Sequence, residues 1–252
     1  MPKQLRWLAL GLLAVVTMPA FAAAQAAADD DIRNEYRVTL VTTRPAADRE
    51  KLILFQYLGV VENSDKQLTS FYYSPPGLIM KPTKSIEIWL GMFGIYTNNK
   101  AANNSWELRP LTGVKFYVPN NKRMNIYNFT RFEYRSIHQD HESNGIPRLR
   151  NRIGLEAPLS QARAWTPKTW YALADVEPFW RADDGYMERW RIRGGIGYIL
   201  NRYWRAEAIY HAEFSGGDGE PKKYTDNIFR LNIKLSLPRR GQHVSIHPDV
   251  DE

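Results

Sequence analysis

Apolar and polar residues alternate along most of this chain, and clusters of Gly, Pro, Asn and Asp separate the alternating segments. The clearest segment covers residues 189–200, where Trp190 and Ile192 interleave with Arg191 and Arg193. A period of two places successive side chains on opposite faces of a β-strand. Beyond the N-terminus no segment shows a helical period, so the chain is predicted to be all-β.

The alternating segments predict ten strands, each close to the ~9–11 residues that cross a bilayer obliquely. A further segment at residues 36–43 would add an eleventh strand. The expected number is therefore about ten, within a range of about 10–12. The ten segments are residues 52–61, 67–74, 85–96, 106–118, 126–138, 148–157, 169–180, 189–200, 204–214 and 229–237.

Strand length and the placement of aromatic residues separate two all-β folds that share this alternation. In a soluble sandwich the polar face meets water, whereas in a membrane barrel it lines the lumen. The strands are longer than the roughly 5–6 residues common in sandwiches. Aromatic residues such as Trp106, Trp170, Trp180 and Trp204 fall at strand ends, as an interfacial belt requires. We therefore expect an antiparallel transmembrane β-barrel of about ten strands.

The polar face carries many charges of both signs in the middle of the strands. Three interpretations fit such a face. It could be a surface in contact with water, a cationic lumen that attracts anions, or an ion-pair network that fills the interior. Because arginines and carboxylates alternate on neighbouring strands, the network is favoured. Its predicted members are Arg131, Glu133, Arg135, Arg150, Arg152, Glu177, Arg189, Arg191, Arg193, Arg205 and Glu207.

The N-terminus has the pattern of a cleaved signal peptide. Lys3 and Arg6 precede an apolar run at residues 7–18, and Pro19 and Ala-x-Ala sequences follow. Export and a barrel fold together predict the Gram-negative outer membrane as the location. The predicted divisions are a signal peptide at residues 1–24, a partly disordered mature N-terminal segment at 25–50, the barrel at 51–237 and a disordered periplasmic tail at 238–252.

The composition restricts the partners and the chemistry. A mean hydropathy of -0.48 argues against a bundle of membrane helices, and the lack of cysteine excludes disulfides and thiol catalysis. The chain has 34 Lys and Arg against 27 Asp and Glu, but export makes nucleic acid an unexpected partner. We expect outer-membrane lipids and the barrel-insertion machinery as partners, and neither a metal ion nor a cofactor. The oligomeric state is left open.

Several consecutive segments resemble a family of outer-membrane barrels whose function is unassigned. The resemblance covers about residues 106–237, with an Arg-rich strand, a strand with a central Glu before an aromatic, and an Arg-x-Arg-x-Gly-Gly strand in that order. It implies the barrel fold and the outer membrane, but no activity. The segments are WELRP, RFEYR, RLRNRIGLE, WYALADVEPFW, ERWRIRGGIGYIL and YWRAEAIY.

A second, local similarity concerns the sequence HESNG at residues 141–145 and the Asn151-Arg152 pair that follows. It is similar to the active-site signature of outer-membrane phospholipase A. The resemblance implies that His141 is the base, Ser143 the nucleophile and Asn151 the residue that orients the histidine, with calcium assisting. A serine hydroxyl needs an adjacent base and a third group that holds the base in place.

Strand parity bears on this second hypothesis. Asn151 shares its parity with Leu149 and is expected to face lipid, whereas His141 and Ser143, counted from Phe132, fall on the lumen side. Ten residues separate His141 from Asn151, which is shorter than the spacing in that family. Three hypotheses therefore remain: a structural or narrow-pore barrel without chemistry, a phospholipase-A-like hydrolase, and a secreted sandwich that binds an anionic polymer.

Overall fold

Twelve β-strands form one sheet in the computed structural model of the chain, and the residues that it describes contain no helix. None of these residues forms a helix long and apolar enough to span a membrane. The described residues are 32–46, 51–63, 68–100, 103–119, 124–140, 142–161 and 165–237. The strands are β1 (Arg33–Pro45), β2 (Leu52–Asn63), β3 (Leu68–Tyr73), β4 (Gly77–Met80), β5 (Ile86–Asn99), β6 (Ser105–Tyr117), β7 (Asn125–Gln139), β8 (Glu142–Pro158), β9 (Thr169–Arg181), β10 (Met187–Ile199), β11 (Trp204–Ser215) and β12 (Lys223–Ser236).

The sheet closes on itself because β1 pairs with β2 on one side and with β12 on the other. Both β3 and β4 lie between β2 and β5, so the twelve strands occupy eleven positions around a barrel. The prediction of an all-β barrel is confirmed. The eleven positions exceed the expected number of about ten but lie within the expected range of about 10–12, and the additional strand is β1, which contains residues 36–43.

The interruption between β3 and β4 follows from Pro75 and Pro76. Proline has no backbone N–H, so it cannot donate a hydrogen bond to a neighbouring strand of the sheet. Ser74 bridges the interruption, since its N–H donates to the carbonyl of Tyr57 (2.8 Å) and its Oγ accepts from the Tyr57 N–H (2.9 Å). The two short strands therefore act as one broken strand of the barrel.

One pair of neighbouring strands is parallel, which corrects the prediction of a fully antiparallel barrel. Val38 lies beside Leu231 and Leu40 beside Ile233, so β1 and β12 run in the same direction. The reason is geometric, because strand directions cannot alternate all the way around a ring with an odd number of positions. We call the β1–β12 boundary the parallel seam.

The barrel also begins earlier than the sequence predicts, at Arg33 instead of residue 51. Residues 33–45 were expected in the mature N-terminal segment, but they form a full strand of the wall. The predicted signal peptide at residues 1–24 and the predicted tail at 238–252 lie outside the described residues.

The two ends of the barrel have different contents. We call the end where β1 begins and β12 begins the mouth, and the opposite end, where both strands finish, the base. Buried apolar side chains from β1, β2 and β4–β7 pack together in the base half, with Trp89 packed 5.2 Å from Phe55 and 5.3 Å from Phe129 between ring centroids. A smaller cluster of Tyr171, Leu173, Ile199 and Ile209 packs beneath Trp165.

Candidate functional site in the charged interior

Glu133 collects three arginines inside the barrel. Its carboxylate lies 2.8 Å from Nε of Arg131, 2.6 Å from Nη2 of Arg148 and 2.8 Å from Nη1 of Arg150. The register of β7 and β8 explains the arrangement, since Glu133 lies directly opposite Arg148, and Arg131 opposite Arg150. Glu133 is 1% exposed, so these contacts form away from water.

Glu177 on β9 is a second shared carboxylate. Arg150 donates to it through Nη2 at 2.8 Å, and Arg152 donates through Nη2 at 3.1 Å. Arg131 lies 3.8 Å away. Because Arg150 and Arg131 contact both Glu133 and Glu177, the two carboxylates belong to one network across β7, β8 and β9.

Further ion pairs extend the network around the wall. Glu107 accepts from Arg109 (2.8 Å) and from both ends of the Arg135 fork (2.8 and 2.9 Å). Glu213 accepts from Arg191 (2.6 Å) and Arg189 (2.9 Å). Four buried carboxylates, those of Glu107, Glu133, Glu177 and Glu213, thus serve eight arginines.

Two other buried carboxylates, Asp175 and Glu207, lie on the base side of this network. Asp175 forms a two-point contact with Arg193, with both distances at 2.6 Å. Glu207 lies 2.9 Å from Nζ of Lys234 and also accepts from Asn232. These contacts tie β9–β12 together below the shared carboxylates.

All eleven residues of the predicted network lie on the described strands, and a buried Arg/Glu network is present. Arg135 and Arg189 are half-buried, and the other nine are buried. The prediction omitted Glu107, Arg109, Arg148 and Glu213. Arg148 has the strand parity of Arg150 and Arg152, and Glu107 and Arg109 have the parity opposite to Trp106 and Leu108, and these are the signals that identify them.

Phe179 provides an apolar surface for four of the guanidinium groups. The centres of these groups lie 4.3 Å (Arg150), 4.9 Å (Arg191), 5.2 Å (Arg148) and 5.8 Å (Arg189) from the centroid of its ring. A guanidinium within about 6 Å of an aromatic face is attracted by the ring quadrupole. The ring therefore helps to hold several like charges close together.

A cavity of about 190 Å³ opens above Phe179 in the mouth half. Seven arginines and one carboxylate line it, so its wall is strongly cationic. An adjoining cavity of about 200 Å³ shares Glu35, Arg37, Tyr72, Arg189 and Arg191 with it. The lining residues of the first cavity are Glu35, Arg37, Tyr72, Arg109, Arg135, Arg148, Arg150, Phe179, Arg189 and Arg191. We call it the cationic cavity.

The structure does not bring the predicted catalytic residues together. Ser143 and Asn151 lie on the same strand, eight residues and therefore roughly 26 Å apart. Asn151 donates to Thr130 (2.7 Å) and Asn128 (3.1 Å) on β7 instead of meeting a serine or histidine. His141 lies outside the described residues, and no group of three or more His, Asp or Glu among the described ones could hold a metal ion.

Ser143 also lies on a different face from the one its parity predicts. It pairs with His138 of β7 and shares its alternation with Leu149 and Asn151, so it belongs to the outer wall. The inward-facing positions have odd numbers on β7 and even numbers on β8, because the turn between the two strands shifts the alternation by one residue. A count carried forward from Phe132 misses this shift. On the same wall, Nε2 of His138 lies 2.9 Å from Oγ of Ser136.

A protein-family model matches residues 61–222 of the chain, and the family is described as "Protein of unknown function (DUF2490)". No curated protein and no solved structure matches the chain. The matched residues extend from the end of β2 to the link before β12 and include Glu107, Glu133, Glu177 and Glu213. The four shared carboxylates therefore lie within the part of the chain that defines the family.

Proposed function

The chain belongs to this family of proteins of unknown function, and we propose that it is an outer-membrane β-barrel with an occluded interior. Its role in this proposal is structural, without diffusion of solutes through the lumen. The single observation that carries the proposal is the spacing of aromatic residues on the outer wall.

Three strands carry two aromatic residues on the outer wall, ten positions apart. These pairs are Trp106 and Phe116 on β6, Trp170 and Trp180 on β9, and Trp204 and Phe214 on β11. Ten residues of strand cover roughly 33 Å, or about 25 Å along the axis at a tilt of about 40°. A band about 25 Å tall between two aromatic girdles is the dimension of an outer-membrane barrel.

The wall between these girdles is mostly apolar, apart from the polar group formed by Asn128, Thr130 and Asn151. Leu108 and Val114 on β6, Val176 on β9, and Phe229 and Leu231 on β12 are exposed. The charged residues of the same strands occupy the opposite parity and face inward. A mostly apolar surface of this extent suits lipid better than water.

The interior supports occlusion instead of an open pore. The apolar base cluster and the ion pairs around Glu133 and Glu177 fill the lumen with buried side chains. Removing charges from water is favourable only when their partners satisfy them closely. An interior held by such contacts resists the rearrangement that an open channel needs.

Lipid exposure is tested with purified mature protein in liposomes that contain brominated phospholipid. We expect the bromines to quench tryptophan fluorescence more strongly near the headgroups than at mid-chain, since Trp106, Trp170 and Trp204 lie at the girdles. Replacement of the interior Trp89 by Phe is the matched control and should leave the quenched intensity unchanged. Absence of quenching, together with identical migration of heated and unheated protein in detergent, would indicate a soluble protein.

Occlusion is tested by conductance in planar bilayers. Wild-type protein should give no steady channels under conditions in which a porin conducts. Steady, reproducible channels would assign the narrow-pore role instead.

A second candidate is the phospholipid hydrolase, which one contact favours. Ser136 and His138 form a serine–histidine pair on the outer wall, where His138 stacks on Trp106 at 3.8 Å between centroids. A serine beside an imidazole is the arrangement that activates a nucleophile. Calcium-dependent phospholipid hydrolysis that is lost in Ser136→Ala but retained in Ser143→Ala would support this candidate, and inactive wild-type protein would exclude it.

A further inference from the structure

We propose that the cationic cavity binds a phosphate or diphosphate group. This inference concerns the interior of the barrel and does not depend on its location in a membrane. The first observation is the composition of the wall, where Glu35 is the single carboxylate among seven arginines.

Glu35 pairs with Arg37, and the other carboxylates that pair with these arginines lie outside the wall, where most of them serve more than one arginine. Glu133 and Glu177 contact Arg148 and Arg150 but also serve Arg131 and Arg152, which do not line the cavity. Positive charge therefore exceeds negative charge around the cavity. Buried charge is costly unless it is compensated, and a multivalent anion in the cavity supplies that compensation.

The geometry of two guanidinium groups gives the anion its donors. Arg191 donates to Glu213 through Nε at 2.6 Å, and Arg109 donates to Glu107 through Nε at 2.8 Å. A guanidinium has five N–H donors, so four at the end of each fork are available to a second acceptor. A planar guanidinium can donate two parallel hydrogen bonds to two oxygens of the same phosphate.

The dimensions suit a hydrated tetrahedral oxyanion. A water molecule occupies roughly 30 Å³ in the liquid, so a cavity of about 190 Å³ has room for a phosphate group with ordered waters. The adjoining cavity extends to Asn63 and Leu68 at the mouth ends of β2 and β3, which gives a route of entry. On the base side, buried apolar side chains and the ion pairs of Asp175 and Glu207 occupy the lumen, so the mouth is the expected route of entry and exit.

The test is calorimetric titration of pyrophosphate into the folded mature protein in detergent and phosphate-free buffer. Wild-type protein should bind saturably. Arg191→Lys keeps a cation near Glu213 but removes the fork, and it should weaken binding by about tenfold or more. The matched control is Arg181→Lys, an exposed arginine near the mouth that pairs with Asp183 outside the cavity and should leave affinity unchanged.

Three results would overturn the proposal: no saturable binding of either pyrophosphate or a diphosphate-bearing lipid to wild-type protein, unchanged affinity in Arg191→Lys, or equal losses in Arg191→Lys and Arg181→Lys. If Arg191→Lys does not fold, Arg109→Lys replaces it under the same criteria. If neither variant folds, the unfolding temperature of the wild-type protein is measured as pyrophosphate is added. It should rise saturably with pyrophosphate and not with chloride at equal ionic strength, and equal responses would overturn the site.

The source of the group is decided by a second titration, with a diphosphate-bearing lipid in mixed micelles. Binding of free pyrophosphate assigns a soluble ligand. Binding of the lipid alone assigns a headgroup that enters through the mouth. Failure of both would overturn the proposal, without bearing on the aromatic girdles that support the membrane location.

Discussion

At the scale of single residues, the interior depends on carboxylates that are fewer than the arginines they serve. Glu177 holds Arg150 and Arg152 by direct hydrogen bonds, and Arg131 lies nearby. Loss of one such carboxylate therefore affects several guanidinium groups at once. Such sharing makes the acidic members of the network more sensitive to substitution than any one arginine.

Neutralising the carboxylate of Glu177 should destabilise the barrel strongly. Glu177→Gln keeps the size of the side chain but leaves buried positive charge uncompensated, which typically costs about 3–5 kcal/mol. The measurement is the free energy of unfolding in detergent and urea. In the Glu177→Gln background, Arg152→Gln should cost less than it does in the wild type, because its partner is already gone.

The control for this substitution is an exposed ion pair. Asp183 lies in the turn after β9, where the hydrogen bond from Arg181 lowers its pKa below the usual value. Asp183→Asn should leave the unfolding midpoint unchanged, since solvent screens this contact. A midpoint for Glu177→Gln equal to that for Asp183→Asn would show that the shared carboxylate does not stabilise the fold.

Strand parity in the sequence was sufficient to place the arginines inside but not to assign their partners. Parity fixes the face of a side chain, whereas the register between strands decides that Glu133 lies opposite Arg148. The register depends on the turn between β7 and β8, and the same turn places Ser143 on the outer wall instead of the predicted lumen side. The cationic cavity could not be predicted from the sequence, because Arg37 of β1 and Arg109 of β6 come to line one cavity only when the barrel closes.

At the scale of elements, the parallel seam is the feature that local sequence could not predict. Residues 33–45 show the alternation of a strand, but their partner β12 lies 193 positions later for every paired residue, as in Arg37 and Arg230. A turn signal identifies a hairpin, whereas no comparable signal marks pairing between distant segments. The break at Pro75 and Pro76 is the opposite case, since proline predicts it locally.

Disulfide cross-linking can test the direction of the seam without interference, since the chain has no cysteine. Tyr36→Cys with Phe229→Cys should form a disulfide, because these residues are neighbours in the parallel register. Tyr36→Cys with Ile233→Cys should not, since the partner lies four residues, or roughly 13 Å, further along. Both pairs lie on the outer wall, so the network is unchanged. An antiparallel seam centred on Val38 and Leu231 would reverse the two results.

At the scale of the whole molecule, the barrel has two dissimilar ends and an odd number of strand positions. An apolar cluster packs in the base half, and cations surround a cavity in the mouth half. The aromatic girdles and the apolar wall were predictable, since they repeat with the strand period. Because β1 and β12 run in the same direction, the chain enters the barrel at the mouth and leaves it at the base. An even-numbered antiparallel barrel would have both positions at one end.

In the proposed outer-membrane location, this polarity predicts on which side of the membrane four positions lie. Ile32 and Asp183 lie at the mouth, whereas Arg202 and Leu237 lie at the base. Each is replaced by cysteine in turn, and intact cells are treated with a maleimide that does not cross the outer membrane. Ile32→Cys and Asp183→Cys should react alike, and Arg202→Cys and Leu237→Cys should show the opposite behaviour. Lysed cells should label all four, which controls for accessibility.

Equal labelling of Ile32→Cys and Leu237→Cys in intact cells would contradict the parallel seam, because only an even number of strand positions puts both on the same side.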